Sequence, residues 1–286
     1  MYRQYWNLRE LPFLNTTDSR FVYMTDQHKE GLARLMFLAS EGRMAGMLSG
    51  PFGVGKSLTL DLLQRHAEKI DLPCVRMDAI PGGMLPMAKC LLREIGIKDL
   101  PETLPDALMM LQMFCRNVQN PQRHLLLIDE AHYMALDDGY YFAHYLCNLR
   151  IPDKKTGHEI PLFTLVMVGT EALRDTVGQY ESLRRRIQLD WVLEPLTLSE
   201  TIEYVQFRMR GAGGDLWIFP QDALQEIYKW SAGVPRNINH LCDTALLLGF
   251  AGRLPNITRE IIVQAAADTS LDRSRIVTDV KEGEKK

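Results

Sequence analysis

GPFGVGKS, residues 50–57, decides how the rest of the chain is read. It stands between an apolar run, MAGMLS (44–49), and a stretch with helical spacing, KSLTLDLLQRHAEKI (56–70). The pattern G-x-x-x-x-G-K-[ST] therefore falls on a strand-to-helix turn, the context that makes it a phosphate cradle. Gly50, Pro51, Phe52, Gly53, Val54, Gly55, Lys56, Ser57 and Leu58 form the candidate binding loop. Its glycines let backbone N–H groups wrap a phosphate, and the start of the following helix adds its positive dipole end. Lys56 is placed to reach the β- and γ-phosphates, and the Ser57 hydroxyl to ligate Mg²⁺. A plain glycine turn is the alternative, disfavoured because the full pattern rarely arises by chance.

HLLLIDEAH (124–132) supplies the complement. An apolar strand delivers Asp129 and Glu130 to its C-terminal end, where open α/β sheets bind ligands. Asp129 is the candidate Mg²⁺ carboxylate, directly or through water, and Glu130 the carboxylate that polarises an attacking water. Two carboxylates at a strand end also suit a solvated turn, but beside a phosphate loop they point to hydrolysis of a nucleoside triphosphate with Mg²⁺. The letters DEAH also spell a helicase motif. Such helicases need two sheets flanking the nucleotide, and only one α/β layer is visible here, so His132 reads as a helix-start residue near the site.

Further outward, short apolar runs alternate with longer helical stretches, the signature of a parallel sheet covered by helices. Strands are expected at 44–49, CVRMD (74–78), HLLLID (124–129), FTLVMVG (163–169) and IQLDWVL (187–193). The third and fourth are nearly continuous apolar runs, as central strands buried on both faces require. After Pro195 the strand signal stops and helical segments follow to about residue 268. The predicted architecture is α/β: a P-loop NTPase with a parallel αβα sandwich and then a small all-helical lid. The expected boundaries are 1–43 for an aromatic arm and first helix, 44–195 for the nucleotide-binding core, 196–270 for the lid and 271–286 for a polar, disordered tail.

Composition bounds the function classes. With 286 residues, 46% of them hydrophobic and 24% charged, the chain can bury a full core. Its net charge of -3 excludes a protein coated with positive charge, so any nucleic-acid contact requires a local patch. RIPDKKTGH (150–158), with Lys154, Lys155 and His158, is a candidate, although such loops are usually solvated surface. Cys74, Cys90, Cys115, Cys147 and Cys242 contain no C-x-x-C pair and read as reduced, buried thiols. The start, MYRQYWNLRE, lacks an apolar run after Arg3, and no window reaches the ~20 apolar residues of a membrane span. A cytoplasmic location is expected. No metal beyond Mg²⁺ is expected, because His28, His66, His124, His144 and His240 show no ligand spacing.

These motifs, with YWNLRELPF (5–13), DSRFVYMTDQHKEGLARL (18–35) and GVPRNINHLCDTALLLG (233–249), resemble AAA+ ATPases of the ExeA/GspA type, the general secretion pathway protein A-like family. The resemblance covers nearly the whole chain. It implies that Arg236, in GVPR, is a lid arginine contacting the γ-phosphate, a role that suits the planar fork of a guanidinium. It implies a sensor position at Thr170, where many AAA+ proteins carry Asn. In SLRRRIQL (182–189), Leu183, Arg184, Arg186 and Ile187 match the place from which AAA+ rings supply an arginine finger to the neighbouring subunit. Such a finger is worth ~10³–10⁵ in rate. The resemblance thus implies a homo-oligomer, ring or spiral, in which an isolated subunit hydrolyses ATP poorly. Members of this family commonly continue into a membrane-spanning segment and a peptidoglycan-binding part, whereas this chain ends in a polar tail soon after the lid. The expectation is that another subunit supplies the envelope contact or that the module serves elsewhere.

Three functional readings follow. The first is an ATPase that remodels or powers a protein partner, with secretion or envelope assembly as the setting that the resemblance implies. The second is an ATP-dependent DNA-binding regulator similar to the transposition ATPases TnsC and MuB. The third is a non-hydrolysing, ATP-controlled scaffold, against which Glu130 speaks. Smaller features read blandly: YYFAHY (140–145) as core or subunit interface, the methionines of LMMLQMF (108–114) as core packing, and Phe13 as a ring near the adenine by analogy alone.

Overall fold

The computed structural model describes residues 2–16, 18–117, 122–153 and 157–269. The predicted tail, 271–286, lies outside them. In chain order the elements are α1 (Tyr2–Tyr5), α2 (Asp26–Ser40), β1 (Ala45–Ser49), α3 (Lys56–Lys69), β2 (Cys74–Asp78), α4 (Met84–Glu94) and α5 (Leu104–Asn117). There follow β3 (His124–Asp129), α6 (Gly139–Asn148), β4 (Arg150–Pro152), β5 (Glu159–Pro161), β6 (Phe163–Gly169), α7 (Ala172–Gly178), α8 (Glu181–Arg184) and β7 (Ile187–Val192). The chain then continues in helices α9 (Leu198–Gly211), α10 (Gln221–Ser231), α11 (Pro235–Ala251) and α12 (Arg259–Asp268).

These elements form two compact units. The first comprises 26–50 and 56–193 and is built on a five-stranded parallel sheet of order β2-β3-β6-β1-β7. β6 is buried at every position and β3 at all but its first, which is why their sequences carry almost no polar residues. At the sheet edge, β7 alternates half-buried with exposed residues over Ile187–Asp190. Side-chain alternation sorts the strands onto two faces. Met47, Leu126, Ile128, Leu165 and Met167 join Met87, Leu91, Leu111 and Phe142 of α4, α5 and α6 in one core. On the other face α2 lies so close to β1 that a Cβ on Gly46 would stand 2.9 Å from the Leu38 side chain. Helices thus cover both faces, giving an αβα sandwich. Each fully buried leucine contributes about 1.5–3 kcal/mol, so the apolar runs that identify the strands also hold them.

The second unit comprises the described residues within 2–25, 51–55 and 194–269. Its core joins Trp6, Leu8, Phe13 and Phe21 of the N-terminal arm to α9, α10, α11 and α12. The arm therefore packs with the helical region, while α2 packs with the sheet, a division different from the expected linear order. Phe13 stacks edge-on against Phe219 at 5.9 Å and is 3% exposed; its ring is a core side chain, not one held out for a base. Arg208, buried on α9, ties the arm down. Its guanidinium donates to the carbonyls of Pro12 at 2.5 Å and Phe21 at 3.0 Å and to that of Leu14, and lies over the Phe21 ring. Burial pulls its pKa below the ordinary guanidinium value. α9 starts at a reciprocal cap, with Glu200 N–H donating to Thr197 Oγ1 and Thr197 N–H to Glu200 Oε2.

Several sequence expectations shift. β4 and β5 pair as an antiparallel hairpin that three-residue, proline-ended strands could not announce. Met109 and Met113 are about half exposed rather than core. Within YYFAHY, Tyr140 and Phe142 are fully buried, but Tyr141 is exposed. Cys147 and Cys242 are buried and Cys74 and Cys90 half-buried; burial pushes the Cys147 thiol up to about 11.

Candidate nucleotide site

The phosphate loop leaves β1 and enters α3. Its backbone turns through left-handed φ values at Gly53 (85°) and Gly55 (111°), a conformation that side chains with a Cβ rarely adopt. At Gly53 a Cβ would also lie 2.7 Å from Cβ of Arg236 and 3.1 Å from Val234. The N–H of Arg236 donates to Gly53 O at 3.3 Å, so the start of α11 is fastened to the loop. Pro235 takes the first helical position, where its missing N–H costs nothing and its fixed φ presets the turn.

The other end of the loop belongs to the sheet unit. Lys56 is 7% exposed and its ammonium donates to Gly50 O at 2.7 Å. Ser57 Oγ donates to Asp129 Oδ2 at 3.4 Å, bringing together the two residues predicted to hold a metal. The topology explains the meeting: β6 separates β1 from β3, and α3 returns over β3. Asp129 is 8% exposed, with its Oδ1 accepting from the Glu130 N–H at 3.0 Å. Among the described residues no group of three His, Cys, Asp or Glu could enclose a metal. Mg²⁺ takes one or two protein oxygens and completes its shell with water and phosphate, and Ser57 Oγ and Asp129 Oδ2 stand together as two such oxygens. A glycine-turned loop, a buried ammonium and a Ser–Asp pair together fit a Mg²⁺–nucleoside triphosphate.

Sequence reasoning missed Arg76. Its guanidinium pairs with Asp61 and lies 3.3 Å from Asp129 Oδ2. A charge inside the strand CVRMD was the available signal, because β2 runs beside β3 with Asp78 opposite Asp129. Glu130 sits in the left-handed region at φ 51°, ψ 32°, so the chain turns sharply where the strand ends. Its Oε2 is buried without a hydrogen-bond partner, 3.4 Å from His132 Nδ1. The same Nδ1 accepts from the Thr170 N–H at 3.5 Å. Thr170 directly follows β6 and is brought to the Glu130 cluster through its backbone.

The arginine run ends α8. Arg185 pairs with Glu181, four residues back, both side chains being about three-quarters exposed. Arg186 is tethered, donating to Asn148 Oδ1 at 2.7 and 3.2 Å and to Ser182 O at 2.6 Å. Arg184 is exposed, and its guanidinium has no partner among the described residues. Lys154 and Lys155, the candidate basic patch, lie outside the described residues. No described helix is long and apolar enough to cross a membrane.

The family model described as an AAA domain matches residues 39–177. General secretion pathway protein A of Aeromonas hydrophila is 29% identical over 279 residues, covering 94% of this chain and 49% of its own length. The chain thus spans about half the length of that curated relative. The structure of Drosophila ORC bound to DNA superposes with a TM-score of 0.70 at 13% identity, over 96% of this chain and 67% of that one. Cdc6p from Pyrobaculum aerophilum superposes with a TM-score of 0.68 at 15% identity, over 90% and 70%. At these identities the superpositions establish the AAA-type fold alone.

Proposed function

We propose, for a chain of P-loop AAA-type fold similar to general secretion pathway protein A, that it hydrolyses ATP at the interfaces of a homo-oligomer and drives a protein partner. The AAA family is one of nucleotide-binding P-loop NTPases, generally using Mg²⁺. The observation that carries the reading is the Ser57–Asp129 contact beside buried Lys56, with Glu130 immediately following. In it the residues of Gly50–Leu58 hold the phosphates and Lys56 meets the β- and γ-phosphates. Ser57 and Asp129 hold Mg²⁺, which neutralises charge on the transferred group. Glu130 polarises the attacking water, and Thr170 helps to orient it. Arg236 reaches the γ-phosphate from a helix already bonded to Gly53.

The arginine finger is Arg184. A finger must leave its own subunit, and among the described residues Arg184 has no hydrogen-bond or ion-pair partner to give up, whereas Arg186 would lose its bonds to Asn148 and Ser182. Arg186 shapes the α8 end from which Arg184 projects. The partner belongs to a secretion or envelope-assembly machine, and the chain works on the cytoplasmic side.

Phosphate release measured against protein concentration tests this reading. It predicts turnover per subunit that rises with concentration, loss of ATP binding in Lys56→Ala, and ATP binding without turnover in Glu130→Gln. Zero release at every concentration favours a scaffold. ATP-dependent DNA binding that weakens steeply with salt favours a DNA-binding regulator instead.

A further inference from the structure

His132 occupies a position that the reading above does not use. Its side chain is 13% exposed, and its ring lies against Tyr133 with centroids 4.3 Å apart. It is also seated against β6, since a Cβ on Gly169 would stand 3.1 Å from Nδ1 and 3.2 Å from the His132 backbone nitrogen. One atom, Nδ1, faces two groups: Glu130 Oε2 at 3.4 Å and the Thr170 N–H at 3.5 Å. A neutral imidazole nitrogen carries either a proton or a lone pair. With the proton, Nδ1 donates to Glu130 and turns no acceptor toward Thr170. With the lone pair, it accepts from Thr170 and leaves Oε2 unpartnered, as that atom stands here. Both contacts are long, so a shift of a few tenths of an ångström strengthens one at the other's expense.

We infer that His132 is a positioning residue that couples the Glu130 carboxylate to the Thr170 end of β6, through an Nδ1 that serves one of them at a time. The inference rests on Glu130 being the water-polarising carboxylate. A displacement of Thr170 toward a bound γ-phosphate withdraws its N–H from Nδ1, and the tautomer that carries the proton there then holds Glu130. When Thr170 returns, Glu130 is released. His132 acts here through Glu130 and Thr170, the two groups that its Nδ1 faces.

The test compares His132→Asn, which keeps a polar atom near the place of Nδ1, with His132→Gln, whose polar end extends toward the place of Nε2, and with His132→Ala. Steady-state turnover is measured together with ATP binding and melting temperature. Loss of alignment at the reacting carboxylate predicts that kcat falls about 10- to 100-fold in Ala and Gln and is largely restored in Asn, with KM for ATP kept within about twofold. Equal kcat in all variants, or a loss that follows melting temperature or KM, overturns the inference. Should the variants fold poorly, ¹⁵N spectra of the His132 ring in the unaltered full chain decide. Nδ1 is expected to change between lone-pair and N–H character on addition of a slowly hydrolysed ATP analogue, and an unchanged ring overturns the coupling. Glu130→Gln is measured in parallel: turnover retained there removes Glu130 from its role, whereas turnover lost there with the His132 series unaffected removes only His132.

Discussion

The cluster around Asp129 and the turn at Arg184–Arg186 are both candidate parts of one reaction, yet they are built in opposite ways. Asp129 is nearly buried and meets Ser57, Arg76 and the Glu130 N–H within its own chain. Arg184 is exposed and its guanidinium meets nothing described. A group that must be ready for a ligand is held by its own fold, because each hydrogen bond made in advance removes ordering cost at binding. On the proposed reading, a group that acts on a neighbour is left, as Arg184 is, without a hydrogen-bond or ion-pair partner among the described residues of its own chain. Arg208 sharpens the contrast: where this chain uses an arginine structurally, it buries it and satisfies it with three carbonyls.

The comparison can be broken at either side. The largest expected effect is at the exposed side: Arg184→Ala should lower phosphate release by ~10³–10⁵-fold while leaving ATP affinity unchanged, and Arg186→Ala should cost far less. Next is Glu130→Gln, with a fall of about 10²–10⁴-fold in single-turnover rate and retained binding of ATP. The buried arginine should speak in stability rather than rate. Arg208→Leu strands the carbonyls of Pro12, Leu14 and Phe21 and should cost about 2–4 kcal/mol, read by chemical denaturation. The smallest effect is expected at Arg185→Ala, whose pair with Glu181 is an exposed i,i+4 contact worth about 0.5 kcal/mol or less. An Arg185 effect equal to that of Arg184 would erase the distinction drawn within the run.

Much of this is legible in the sequence. The apolar runs at 124–129 and 163–169 identify central strands because burial on both faces excludes polar residues, and GPFGVGKS and DE name the loop and carboxylates by chemistry. What was not legible depends on distance in three dimensions. The β4–β5 hairpin is too short for a period to show, and Arg76 becomes meaningful only when β2 lies beside β3. His132 reads as a helix-start residue and stands in the first turn of a 3₁₀ helix, Ala131–Leu136, but nothing local reveals that Thr170, 38 residues later, reaches its ring. Residues 184–186 form a uniform run in sequence, and only their partners separate them. The N-terminal arm is visibly aromatic in sequence, but only analogy placed Phe13 near an adenine; the ring lies instead in the core around α9–α12.

The central claim is that one chain presents a complete binding half while its neighbour supplies Arg184. Mixing two inactive variants tests it most directly. Glu130→Gln chains keep Arg184, and Arg184→Ala chains keep Glu130, so mixed assemblies contain interfaces with both groups intact. Phosphate release from the mixture should rise well above the sum of the separate variants, and should do so only at concentrations that support assembly. Release that stays at that sum, from variants shown to co-assemble with ATP, would contradict the account.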